Sequence, residues 1–233
     1  MKLAIMQPYF LPYIGYFQLI NAVDKFVVYD DIKYTKKGWI NRNRILVNGK
    51  DQLFTLPLKK DSDYLDIYQR KISNDFHTES KKILNRIEAA YRKAPYFKEV
   101  FSIVTGCILY KEENLFNFIY YSIEKVKTYL DIKTKLIISS EIGIRERLKG
   151  EARVISICKQ LKTTHYINAI GGVKLYNKDT FLKENIKLNF IKSDEIEYKQ
   201  FDNIFVPSLS IIDVMMFNSK NKIKEMLNRY ELI

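Results

Sequence analysis

The first thirty residues constrain this chain more than any other stretch. Residues 2–6 read as a short buried strand halted at Gln7-Pro8, because proline brings no N–H to a central ladder. Residues 13–22 (YIGYFQLINA) are apolar enough for a partly buried helix, and residues 26–29 (FVVY) form a second strand ending on Asp30-Asp31. Strand, helix and strand at this spacing imply a βαβ unit, since two parallel strands can be joined only by a crossover.

Downstream, the pattern changes twice. Ile45-Leu46-Val47, an Asn48-Gly49 turn and residues 53–56 predict a hairpin, Asn-Gly being suited to a type I′ turn. From 77 to 130 apolar residues recur at three- and four-residue spacing, first at Ile83, Leu84, Ile87, Ala90 and Tyr91, then at Leu115, Phe118, Ile119, Ile123 and Val126. Ala94-Pro95 ends or interrupts the first of these helices. Beyond them strands (136–139, 165–168, 188–191) alternate with helices (151–161, a short one ending at 185, 209–218). No repeat, low-complexity tract or long polar linker divides the 233 residues. The expectation is one α/β domain over residues 1–233: a Rossmann-like, largely parallel sheet with a β-hairpin excursion and a helical insertion at about 77–130.

Composition narrows the setting. The two cysteines, Cys107 and Cys158, are far apart and form no CxxC, which argues against a disulfide framework or a thiol-rich zinc site. Cys158 falls on an apolar helix face and Cys107 has no evident base. Gln7, Pro8 and Pro12 interrupt the apolar run a signal peptide needs, and no run of about 18 uncharged apolar residues follows. A cytoplasmic protein without an integral membrane segment is expected. Lys and Arg number 39 against 27 Asp and Glu, a formal net charge of +12. Such an excess suits an anionic partner, whether nucleic acid, a phosphate-bearing ligand or a membrane surface. An A+T-rich genome also produces lysine, asparagine, isoleucine and tyrosine in quantity, and only nine of the cations are arginine. Location is more telling. Residues 31–60 hold eight cations against Asp31 and Asp51, a net +6, around the only tryptophan, Trp39.

Two segments therefore carry the candidate chemistry. In Gln7 to Tyr16 (QPYFLPYIGY), Gln7, Tyr9 and Tyr13 follow the first strand directly, where open α/β sheets collect ligands, and Gly15 permits close approach at a helix start. In the basic hairpin, Lys36, Arg42 and Arg44 suit a phosphate, Trp39 a stacked ring, and Asn41 and Asn43 polar edges. Strand alternation would place Arg42 and Arg44 on one face and Trp39, Asn41 and Asn43 on the other. The competing readings are prolines that end a strand with packed tyrosines in the first segment, and an exposed lysine-rich hairpin with one packed tryptophan in the second. Asp30 and Asp31 could meet a ribose hydroxyl or a divalent ion, but a lone pair of carboxylates does not define a metal site, and none is assigned. His77 is the candidate general base, while His165 is expected to pack. Asn168, the backbone amides of Gly171 and Gly172 in a flexible loop, and Tyr176 are candidates for meeting an anion or oxyanion. Ser208 and Asp213 suit either a ligand or the capping and dipole of a helix. No GxSxG, HExxH or phosphate-binding consensus is present.

MQPYFLPYIGYFQLI, DKFVVYDDIKYTKKGWINRNRI, AYRKAPYF at 90–97, TTHYINAIGGVKLY and VPSLSIIDVMMFN together resemble the WbqC-like family. The resemblance runs from residue 6 to about 218. It implies a place in bacterial surface-polysaccharide, O-antigen or lipopolysaccharide biosynthesis, and transfer of an aminoacyl (glycyl) or other acyl group to an amino sugar. Under that implication the partners are a nucleotide-linked amino sugar and an activated acyl or aminoacyl donor, aminoacyl-tRNA included, with no cofactor named. Lys36, Arg42 and Arg44 would clamp the diphosphate, Trp39 would stack on a ring, His77 or Asp31 would deprotonate the amine, and Gly171-Gly172 would receive the oxyanion. Two alternatives compete: an RNA- or aminoacyl-tRNA-binding protein, and a non-catalytic module docking on a membrane-associated glycosyltransferase.

Overall fold

In the computed structural model, which describes residues 1–144, 148–202 and 204–233, strand β1 (Lys2–Met6) leads through helix α1 (Ile14–Asn21) to strand β2 (Lys25–Val28). The two strands pair in parallel, Leu3 opposite Lys25 and Met6 opposite Val28. Alternation sorts their side chains: Leu3, Ile5 and Val27 enter one apolar cluster, while Ala4, Phe26 and Val28 enter another. Strands apolar on both faces belong to a sheet covered on both sides, as parallel sheets are.

The hairpin of β3 (Arg42–Val47) and β4 (Lys50–Thr55) follows. It turns at Asn48 and Gly49, whose φ values of 49° and 73° are those a type I′ turn requires. Helices α2 (Phe76–Tyr91), α3 (Phe97–Ile108) and α4 (Leu115–Tyr129) occupy the expected insertion. Then come β5 (Lys135–Ile138), α5 (Gly150–Gln160), β6 (His165–Ala169), α6 (Lys178–Lys183), β7 (Lys187–Ser193), α7 (Ile211–Phe217), α8 (Lys220–Met226) and β8 (Tyr230–Leu232). The main sheet has the order β5-β2-β1-β6-β7-β8, parallel throughout except for the antiparallel β7–β8 pair. The fold is thus the expected α/β, with a largely parallel sheet and a separate antiparallel hairpin. Helix α8 and strand β8 went unanticipated because they are short, and α8 buries only Ile223 and Met226. No helix among the described residues is long and apolar enough to cross a membrane.

Strand order reverses at β1. The chain steps from β1 to β2 on one side and returns to pair β6 on the other, so the segments leaving β1 and β6 diverge and open a crevice. The segment leaving β1 is held from a distance. Asn43 Nδ2 donates to the carbonyls of Phe10 and Leu11 at 3.2 and 2.8 Å, and Ser210 Oγ donates to that of Leu11 at 2.7 Å. The Ile211 N–H reaches the Pro12 carbonyl at 2.8 Å, and the Ser210 N–H reaches that of Arg44 at 2.9 Å. Three remote stretches of chain, the β1 loop, β3 and the start of α7, are thereby fixed together. A second tie lies deeper: Tyr91 Oη accepts the Leu46 N–H and donates to Asp213, each at 2.8 Å.

Asn43→Ala leaves the Phe10 carbonyl without its donor and takes one of two donors from that of Leu11, and it is expected to cost about 1–3 kcal/mol in urea unfolding. Tyr91→Phe should cost a similar amount. A loss under about 0.5 kcal/mol in either variant would contradict the tethering.

Candidate functional site

A cavity of about 650 Å³ opens at the crevice, within the size range of small-molecule sites. β1 and its loop supply Met6, Gln7, Tyr9 and Tyr13, and α1 supplies Gly15 and Tyr16. Tyr29 stands just past β2, Trp39 and Asn43–Arg44 come from the hairpin, and Asn168, Gly171, Gly172 and Tyr176 come from β6 and the turn beyond it. Ser208 reaches the rim from the segment before α7. Two glycines allow close approach here. A Cβ on Gly15 would sit 2.1 Å from the Tyr13 hydroxyl, and one on Gly172 would sit 2.2 Å from Asn168 Nδ2. The Tyr9 and Tyr16 rings lie 5.7 Å apart, and the Tyr16 hydroxyl donates to the Gln7 carbonyl at 3.1 Å.

The wall is aromatic and rich in donors. Burial raises the pKa of Tyr9, Tyr29 and Tyr176 and lifts that of Tyr16 well above its ordinary value, helped at Tyr29 by Asp31 and at Tyr16 by Tyr9. These hydroxyls therefore stay protonated. Among the described residues no carboxylate, imidazole, thiol or lysine lines the cavity, and Arg44 is its cation. Both cysteines are buried, with thiols pushed up to about 12 by desolvation.

The structure gathers Gln7, Tyr9, Tyr13, Trp39, Asn43, Arg44, Asn168, Gly171, Gly172, Tyr176 and Ser208 around one cavity, and it places the other candidates elsewhere. Lys36 is exposed and pairs with Asp63 at 2.7 Å. Arg42 turns back on its own loop, donating to the Gly38 carbonyl at 2.7 Å and to that of Lys37. The predicted separation of Trp39 from the two arginines fails: Arg42 and Arg44 lie 5.7 and 5.2 Å from its ring centroid. The reason is that β3 begins at Arg42, so strand alternation does not extend back through the turn to Trp39. Asn41 is buried, donating to the Leu56 carbonyl and accepting from Tyr34. Asp30 accepts from the Ser140 hydroxyl and N–H and shares the single Ser139 hydroxyl proton with Asp31, which also binds Arg153 at 2.6 Å. These carboxylates latch the ends of β2 and β5 to α5. His77 lines a different, open groove beside α2 and the α3–α4 connection.

The remaining candidates take these places. Asp213 is fully buried and accepts from Tyr91, Tyr198 and Gln200, its pKa raised by desolvation although those donors draw it down. The cap of α7 is Ser210, whose hydroxyl accepts the Ile212 N–H. Ser208, two residues earlier, takes a left-handed φ of 57°. The Gly171-Gly172 loop is a 3-10 turn (Ile170–Gly172), and His165 lies half-buried within β6, bonded to Asn189. Sequence reasoning passed over Tyr29, although its place at the carboxyl end of FVVY matches that of Gln7 after β1. It also passed over Val154 and Leu175, which reach the cavity from α5 and from the approach to α6 with no local signal.

The sequence matches the model of the WbqC-like protein family over residues 7–225. The uncharacterized protein Rv1507c of Mycobacterium tuberculosis is 29% identical over 221 residues, covering 93% of this chain and 93% of its own. No solved structure matches.

In Gly172→Ala the added methyl collides with the Asn168 amide, an overpacking expected to cost about 1–3 kcal/mol in chemical denaturation. Gly171→Ala, with nothing within 4 Å of its would-be Cβ, should fall within about 0.5 kcal/mol of wild type. Equal effects at the two positions would refute the packing assigned to Gly172.

Proposed function

Because the chain belongs to the WbqC-like protein family, we propose that its switch-point cavity binds a nucleotide-linked amino sugar and that the protein transfers an acyl or aminoacyl group, such as glycyl, to the sugar's amine in surface-polysaccharide assembly. The observation that carries this reading is the character of the wall: six aromatic side chains and one arginine, with side-chain amides between them. Aromatic faces suit a base or sugar ring, and a guanidinium suits a diphosphate.

Transfer forms an amide bond between the amine nitrogen and the acyl carbon and breaks the bond from that carbon to the donor's sulfur or oxygen. The amine's proton leaves with the departing thiol or hydroxyl. His77 lines another groove, and Asp31, close behind Tyr29 but outside the lining, is engaged by Arg153, so the chain's contribution is to orient the two substrates and to offer protonated tyrosine hydroxyls to the leaving group. The amides of Gly171 and Gly172 belong to the same wall and suit the developing oxyanion.

Purified protein incubated with nucleotide-linked amino sugars and acyl thioesters or aminoacyl-tRNA should yield a sugar whose mass has risen by the transferred acyl group. Trp39→Ala should weaken sugar-nucleotide binding about tenfold, equivalent to about 1.4 kcal/mol. Absence of both product and binding across the panel would overturn the reading.

A further inference from the structure

Several side-chain nitrogen donors in the cavity wall have no hydrogen-bond partner among the described residues, and two of them belong to well-covered groups. The first belongs to Asn168, which is only 6% exposed. Its Oδ1 accepts the Ala169 N–H at 2.8 Å, and that bond decides which end of the amide is which, leaving Nδ2 as the free end. Gly172 exists as glycine beside it, because a Cβ there would fall on Nδ2. The second donor is Arg44 Nε, a buried atom without a hydrogen bond, while another nitrogen of the same guanidinium holds Asp51 at 3.1 Å. Of the buried side-chain atoms left without a partner, Arg44 Nε is the one whose residue lines the cavity. Gln7 repeats the pattern of Asn168, its Oε1 accepting from Tyr9 at 3.4 Å.

All three present N–H groups and none presents a free carbonyl. Arg44 Nε is a buried donor without an acceptor, which destabilises the free protein, and a ligand that supplies the acceptor recovers that free energy. The cavity therefore selects for acceptor-rich ligands. Its one cation suits an anion, and its uncharged amide, set among aromatic rings, suits a neutral keto oxygen on a ring.

We propose that the nucleotide held here is a uridine or thymidine diphosphate, Asn168 Nδ2 donating to the 4-keto oxygen of the base and Arg44 Nε to the diphosphate. This rests on the nucleotide-linked sugar reading above and specifies its base. Cytosine, matched to uracil in size, puts an amino group where uracil carries its 4-keto oxygen. Against Asn168 it sets donor against donor, leaving both unpaired.

Isothermal titration calorimetry of the full chain with UDP, dTDP and CDP tests this. UDP and dTDP should bind at least about tenfold more tightly than CDP. Asn168→Asp, which keeps the oxygen facing the Ala169 N–H but replaces the free donor with an acceptor, should abolish or invert that ratio. Arg44→Gln should weaken UDP and CDP alike by about tenfold while leaving the ratio in place. Equal binding of UDP and CDP by the wild type would overturn the base assignment and leave the nucleotide-sugar reading standing, whereas no binding of any of the three would overturn both. Should Asn168→Asp leave the ratio intact but lose affinity for acetyl-coenzyme A, the carbonyl read by Asn168 belongs to the acyl donor and the base assignment falls.

Discussion

Everything at the cavity depends on how the carbonyls of Phe10, Leu11 and Pro12 are satisfied. The segment leaving β1 contains two prolines, which bring no N–H, and Leu11 in a left-handed conformation at φ 44°, so it cannot bond itself into a regular element. A buried carbonyl must still find a donor. Here the donors are Asn43 from the hairpin and Ser210 and Ile211 from the start of α7. The site loop, the hairpin that carries Trp39 and Arg44, and the segment that carries Ser208 are consequently one hydrogen-bonded unit. Asn43 lines the cavity, yet its amide nitrogen is spent on that unit.

The sheet supplies the remainder of the wall by topology. Reversal of strand order at β1 brings the carboxyl ends of β1 and β6 side by side, and those ends deliver Gln7 and Asn168. The hairpin, which pairs with no strand of the main sheet, brings the cation. Among the described residues, three of the eight cations in residues 31–60 are paired with carboxylates: Lys36 with Asp63, Arg44 with Asp51 and Lys59 with Glu113. What distinguishes Arg44 is a buried Nε that those pairings leave unused.

What could be read from the sequence was whatever depends on near neighbours. The βαβ start, the Asn48-Gly49 turn and the periodic helices of the insertion are local patterns, and the structure has them at nearly the expected residues. The placement of Gln7 at a strand's carboxyl end was legible for the same reason. Long-range partners were not. Nothing near Asp213 announces Tyr91, which meets it from 122 residues away, or tells that Asp30 would be consumed by Ser139 and Ser140. Trp39 misled because alternation was carried past the point where the strand begins. His77 misled because a scarce residue type draws notice wherever the chain puts it, and the fold puts it at another groove.

The position of β1 between β2 and β6 also sets an order of assembly. Its pairing with β2 spans some two dozen residues, while its pairing with β6 joins Lys2 to His165. During synthesis the N-terminal strand can find its first neighbour early and must then wait, one edge open, until more than half the chain has followed. Closing so long a loop is slow, and an open strand edge is exposed to wrong partners meanwhile. Gln7 precedes its counterpart Asn168 by 161 positions, so the cavity cannot form until that whole interval has been synthesised.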